Sequence, residues 1–245
     1  MARIVKEEEH AARRNDILAA AQRFVYTKGY EQMTIQDILT DLRISKGAFY
    51  HYFDSKGGVL EALVERMVAE GVLPLILPVV QDPHLSAIEK LERYFDTSFR
   101  WKTAQKNFML ALLRVWLADE NAIVRQKMFS TSVRQITPSL AEIIRQGVQE
   151  GVFTTAYPDQ VSHAIVYILQ GLGDTIIELF IANEAHPDPQ HIESTVMAYT
   201  HALSDAMERV LGAPPGSLKL IDPDTLKEWF LPSGEAIPSP ELSAA

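Results

Sequence analysis

Apolar residues recur at helical spacing along almost the whole chain, and strict alternation never persists beyond a few positions, so the pattern predicts an all-α protein. Ile17, Ala21, Phe24 and Val25 fall on one face of a first helix over about 11–28, with Gly29 at the left-handed cap. Thr34, with Asp37 three residues on, opens a second helix whose apolar face is Ile35, Ile38 and Leu39. A brief turn at 42–44 follows, and Ser45 caps a very short third helix, 46–52. Asp54 is expected to cap a fourth, with Val59, Leu60, Leu63, Val64 and Met67 on its apolar side.

Beyond Gly71, Pro74 and Pro78 read as breaks in the segment 72–83. Longer helices are expected over 86–102, 107–118 and 121–150, the last kinked or split by Pro138. Two more follow, from Pro158 or Asp159 to about 182 and over 189–211. The proline-rich stretch from Gly212 has room for one short helix, 223–230 with Asp222 as its cap, and a disordered last dozen residues.

Composition narrows the classes. The 245 residues contain no cysteine, which excludes a disulfide scaffold, a thiol nucleophile and thiolate zinc sites. The first ten residues hold no apolar h-region, and the most apolar runs are interrupted by proline or charge, so neither a secretory signal nor a membrane span is expected and a cytoplasmic location fits. Net charge is −9, all of it in residues 67–245; residues 1–66 balance ten Lys/Arg against ten Asp/Glu. The total argues against indiscriminate polyanion binding yet leaves room for a neutral module with locally placed cations.

Two short helices joined by a tight turn and held between flanking helices spell a helix-turn-helix, whose second helix enters the DNA major groove. The wording here is Thr34-Ile-Gln-Asp-Ile-Leu, then Ile44-Ser-Lys-Gly-Ala-Phe-Tyr-His-Tyr-Phe-Asp-Ser-Lys56. Over about residues 11–66 this resembles the N-terminal domain of the TetR family of bacterial transcriptional repressors; the remainder is similar only in length and helical layout. The resemblance implies a three-helix DNA-binding domain (1–58), a larger helical domain for effector binding and dimerisation (59–211), and the tail (212–245). It also implies that Thr34, Tyr50, His51 and Lys56 hold the DNA backbone, while Gln36, Arg43, Lys46, Gly47 and Phe49 lie toward bases. Independently, Ser45, Thr34, Tyr50 and Lys46 are donors suited to phosphate oxygens, Gln and Arg suit adenine and guanine edges, and Phe49 could meet a thymine methyl. Phe53, with an edge of Phe49 or Tyr50, is expected to pack on the first helix near Phe24.

The chain departs from the family at two points. Gly57-Gly58 stands where a glutamate commonly follows the Ser-Lys pair, which weakens the start of the fourth helix. The leading arm carries Glu7-Glu8-Glu9 and reads as solvated rather than as a minor-groove binder.

By resemblance, the last two long helices pair with their copies in a homodimer. The first has more apolar surface than one core face needs, and the expected contacts are Ile165, Leu169, Leu172, Ile176 and Phe180 with Val196, Tyr199 and Leu203; Gly171 and Gly173 would permit close approach. Candidate effector-pocket residues are Phe95, Phe99, Phe108, Met109, Leu112, Trp116, Met128 and Phe129, although such side chains more often fill cores. His163, Tyr167, Gln170 and Asp174, continued by Glu178, form a polar stripe: facing inward it suits a cationic lipophilic molecule, facing outward it is a solvated or interfacial ridge, the preferred reading.

No Walker loop, GxGxxG, GxSxG or HExxH string occurs, and the seven histidines make no helical metal pair, so no cofactor, metal or enzyme activity is expected. The reading is a DNA-binding regulator that represses from a pseudo-palindromic double-stranded operator and leaves it on binding a small apolar effector. The alternatives are a regulator whose body senses a protein partner, and an all-α enzyme.

Overall fold

The computed structural model describes residues 2–106, 108–110, 122–185 and 188–230, and among these every regular element is helical. The helices are α1 (Ala2–Lys28), α2 (Ile35–Leu42), α3 (Lys46–Tyr50), α4 (Lys56–Arg66), α5 (Leu73–Gln81), α6 (Ala87–Ala104), α7 (Ala122–Glu150), α8 (Pro158–Ala185), α9 (Pro189–Leu211) and α10 (Pro223–Lys227). Residues 108–110 are also helical; Leu112, Trp116 and the last dozen residues lie outside the described set.

Several expected boundaries move. α1 begins at Ala2 rather than near 11, because nothing in the leading arm breaks a helix and its Glu, Lys and Arg favour one. Ser55, not Asp54, caps α4: its Oγ accepts the Gly58 N–H at 3.0 Å, which starts the helix one residue later. α4 then continues through a six-residue π-helical stretch, Met67–Val72, into α5. The prolines do not break this shaft. Pro74 sits in the first turn of α5, where no N–H is needed, and Ile76 and Val80 lock the helix into the body across Pro78. α7 likewise runs unbroken through Pro138. Gly71 permits a close approach: a Cβ there would fall 2.5 Å from the Trp101 ring.

Two apolar cores divide the molecule. The head core gathers Ile17, Leu18, Val25, Ile38, Phe49, Phe53, Leu60 and Leu63. It extends to Phe108 and Met128, so both belong to the head–body junction and not to a body pocket. α1 touches the body as well: the Tyr26 ring lies 4.8 Å from Phe108 and its hydroxyl meets Gln105 Oε1 at 3.2 Å. The body core joins Val72, Ile76, Leu91, Tyr94, Phe95, Leu140, Ile144, Ile165, Leu203 and Met207.

The segment after α9 is not a loose tail. Gly212 ends α9 in a left-handed turn (φ 66°). Buried Glu208 then accepts the N–H groups of Gly216 and Leu218 at 2.9 and 3.0 Å, turning the chain back so that Leu218 and Leu220 enter the body core. The strap ends with the Trp229 indole N–H donating to Thr103 Oγ1 at 2.9 Å, and with Phe230 beside Phe180.

Candidate nucleic-acid interface

The helix-turn-helix is held by polar caps that bind before any DNA is present. Thr34 Oγ1 accepts the Asp37 N–H at 3.2 Å, and Asp37 Oδ2 accepts both the Thr34 N–H and its hydroxyl at 2.7 Å. Lys28 also donates to this carboxylate, and that bond, with those from Thr34, lowers the Asp37 pKa to about 2. The Thr34 hydroxyl expected at phosphate is therefore already engaged in the cap.

Arg43 closes α2 in the left-handed region, at φ 51° and ψ 43°, with its N–H to the Thr40 carbonyl at 3.3 Å. A glycine would adopt this geometry without strain; arginine does so at a cost of about 1–2 kcal/mol. Ser45 Oγ accepts the Ala48 N–H at 3.1 Å and keeps its own hydroxyl proton for another partner.

On α3, Lys46, Gly47 and Tyr50 are exposed, as are Ser45, His51, Gln36 and Arg43 around it. A Cβ at Gly47 would meet only Ser45 Oγ, at 3.9 Å, so this face is open to a close-lying surface. Phe49 is corrected. It is 0 % exposed, packed against Phe53 in the head core, and cannot reach a thymine methyl. Lys56 is half-buried: its Nζ donates to the Glu31 carbonyl at 3.1 Å and lies 4.1 Å above the Tyr30 ring. Burial lowers that ammonium's pKa, and burial also raises the Tyr30 phenol to about 12.

The head's charges separate the site from its surroundings. Arg13 pairs with Asp16, Arg14 with Glu65, Arg23 with Asp41 and Lys28 with Asp37, while Arg66 donates to Gln22 at 2.7 Å. Among the described side chains of residues 9–66, the cations without an ion pair or hydrogen bond are Arg43 and Lys46, one on each side of the turn. Lys46 has only the Tyr50 ring, at 5.9 Å. Sequence reasoning missed His10: its ring packs at 5.4 Å on His51 and at 4.6 Å on Tyr52, so α1 buttresses the end of the recognition helix. The signal was the uninterrupted helical composition of the arm.

In the body, the expected faces are rearranged. Ile165, Val196 and Leu203 are buried in their own subunit's cores and cannot reach a partner, whereas Leu169, Leu172 and Ile176 are half-buried against them. Phe180 packs on Phe230, which leaves Tyr199, 37 % exposed, as the expected contact that does face outward. Phe95 lies in the body core, Phe99 packs on Trp229, Met109 abuts the head core and Phe129 meets Tyr167 at 5.1 Å. His163, Tyr167, Gln170 and Asp174 occur about half a turn from the buried side of α8, which turns the stripe outward and away from any inner pocket. Among the described residues, no group of three or more His, Asp or Glu side chains could hold a metal ion.

A capped helix-turn-helix with two unpaired cations at its turn, carried on a helical body, defines a DNA-binding transcriptional regulator. Residues 17–63 match the family described as bacterial regulatory proteins, tetR family, and residues 116–180 match the tetracyclin repressor-like C-terminal domain. The HTH-type transcriptional repressor Rv1474c of Mycobacterium tuberculosis is 30% identical over 151 residues, 55% of this chain and 76% of that protein. An HTH-type regulator in the lacX 3' region of Lactococcus lactis is 42% identical over 52 residues, 21% of this chain and 26% of that one. A transcriptional regulator from Pseudomonas aeruginosa PAO1 shares the fold at TM-score 0.54 and 17% identity, over 82% of this chain and 94% of that one. The chain belongs to the TetR family of transcriptional regulators.

Proposed function

We propose that this chain is a cytoplasmic homodimeric repressor that binds a pseudo-palindromic operator and is released from it by a small, largely apolar effector. The observation that carries the DNA half is the charge pairing of the head: among the described side chains of residues 9–66, the cations without an ion pair or hydrogen bond are Arg43 and Lys46, on the open face with Ser45, Gly47 and Tyr50. On a head of zero net charge, these positions concentrate positive potential where phosphates and base edges would lie. The dimer half is supported by α8. Its most apolar 18-residue window has a mean hydropathy of 1.6, as apolar as a membrane-spanning helix, yet little of that window is buried within one chain. A partner subunit would cover the outer sides of α8 and α9, where Ala164, Tyr167, Gly171, Ala198, Tyr199 and Ala202 are exposed.

Operator sequences selected from random duplex DNA, followed by mobility shift against salt, test the reading. About six phosphate contacts per dimer give a steep loss of affinity between 50 and 200 mM salt, on the order of a thousandfold. A flat salt dependence overturns it. Release of the selected operator by a panel of small apolar compounds tests the effector half. Gly171→Trp tests the interface: a Cβ at Gly171 meets nothing within 4 Å in one chain. The variant should fold with an unchanged melting temperature at low concentration but sediment as a monomer; a dimer of wild-type affinity overturns this placement.

A further inference from the structure

Lys102 faces into the body. It follows Leu91 by eleven residues and Phe95 by seven, so it shares their helical phase to within about 20°. Both of those residues are buried in the body core. The flanks of this stripe are covered. On one side the Trp101 ring lies against Gly71 of the π-helical turn, and on the other Thr103 and Phe99 are covered by Trp229 of the strap, whose ring lies 6.2 Å from Phe99. Yet the Lys102 side chain is exposed, and it makes no hydrogen bond or ion pair among the described residues. Burial lowers its ammonium's pKa, as expected for a cation surrounded by protein. A side chain that points inward, is surrounded by protein and still has accessible surface lines an internal space.

Lys90, lower on the same helix, is the contrast: it is buried and donates to the Val80 carbonyl at 2.6 Å. A second polar group on the inward half of α6 also lacks a partner. The Tyr94 hydroxyl is buried without a hydrogen bond, and burial raises its pKa. Two donors without acceptors are thus set among aromatic side chains. An ammonium in a low-dielectric enclosure is costly alone and binds a carboxylate strongly through a charge-assisted hydrogen bond.

We propose that the effector is an apolar molecule bearing a carboxylate, with its acid group on Lys102 and its apolar part against Phe95, Phe99 and the strap's Trp229. This rests on the reading that the body binds a small effector, and it names that effector's charge. The outward stripe of α8, with Asp174 and Glu178 exposed, takes no part in it.

The test uses the full-length protein and three ten-carbon probes below their micellar concentrations: decanoate, 1-decanol and decyltrimethylammonium. Intrinsic tryptophan fluorescence, read in a Trp116→Phe background so that it reports Trp101 and Trp229, follows binding. Decanoate should bind at least tenfold tighter than decanol, with the cation weakest. Lys102→Met should weaken decanoate at least tenfold and leave decanol unchanged, and Lys102→Arg should restore decanoate. Ligand-free Lys102→Met should keep the helical circular dichroism and cooperative melting of the wild type, which shows the variant to be folded. Wild-type decanoate affinity in Lys102→Met, a preference for the cation, or no binding of any probe each overturns the proposal. Induced release is judged separately: if decanoate binds as expected but leaves the operator complex intact at saturation, the pocket stands and effector-driven release fails.

Discussion

The head and the body each hold charge without a partner, and they hold it in opposite directions. In the head, Arg43 and Lys46 stand outward on a surface whose other described cations are paired. In the body, Lys102 lies in the inward phase of α6, next to Thr103 and Phe99, which the strap's Trp229 covers. An outward cation is solvated and costs little, so it is best matched by a polyanion that binds many such groups at once. An inward cation is desolvated, and one small anion suffices to match it. The same residue type thus marks a macromolecular site in one region and a small-molecule site in the other, and the difference lies in solvation.

The contrast can be broken most strongly at the head. Arg43→Ala with Lys46→Ala should lower operator affinity by about 100-fold or more, at about 1–3 kcal/mol for each residue if it reads a base. It should also flatten the salt slope, measured by mobility shift. Next comes the strap. Glu208→Leu leaves the buried Leu218 N–H without an acceptor and releases the Gly216 N–H to solvent, which costs about 1–3 kcal/mol. Calorimetry should show the loss, and fluorescence of Trp229 should redden as the strap detaches, while operator affinity measured at low temperature should change little. Arg43→Gly is smaller and two-sided. It relieves the left-handed cap by about 1 kcal/mol and raises the melting temperature, yet it should lose operator affinity like the alanine variant. Last is the cap of α2. Its Asp37 carboxyl titrates at about 2, below the ordinary carboxylate range, because Lys28 and Thr34 hold it ionised. The folded state therefore binds fewer protons than the unfolded chain between about pH 2 and 4. The cap's stabilisation should be fully present above pH 4 and lost as pH falls toward 2. The melting-temperature gap between wild type and Asp37→Asn should close over that window.

What could be read from the residues differed between the two regions for physical reasons. The head is built from local signals. The Thr34–Asp37 capping box, the Ser45 cap and the Gly29 turn each act within four residues, and all three occur where the spacing puts them. Phe49 was misplaced because α3 has only five residues, too few turns for periodicity to tell its inner side from its outer. In the body, α8 is apolar over most of its circumference, so hydrophobicity alone could not separate its own core from an outer face. Ile165 is buried in the body core, while Leu169 and Leu172 are half-buried against it. Lys102 was overlooked because it sits in the charged-looking run Arg100-Trp101-Lys102. The usable signal was its phase relative to Leu91 and Phe95.

The continuous shaft from α4 through the π-helical turn into α5 sets a scale in base pairs. α4 has eleven residues and is about 16 Å long. A pivot of about 10° at its body end would carry the recognition helix about 3 Å, close to the rise of one base-pair step. Across two symmetric heads the spacing would change by nearly two steps, enough to take one half-site out of register while the other is still held. Because no loop separates α4 from α5, little of such a pivot would be absorbed before it reached the DNA. A change in the body too small to disturb its core could therefore be read out as a mismatch in operator spacing.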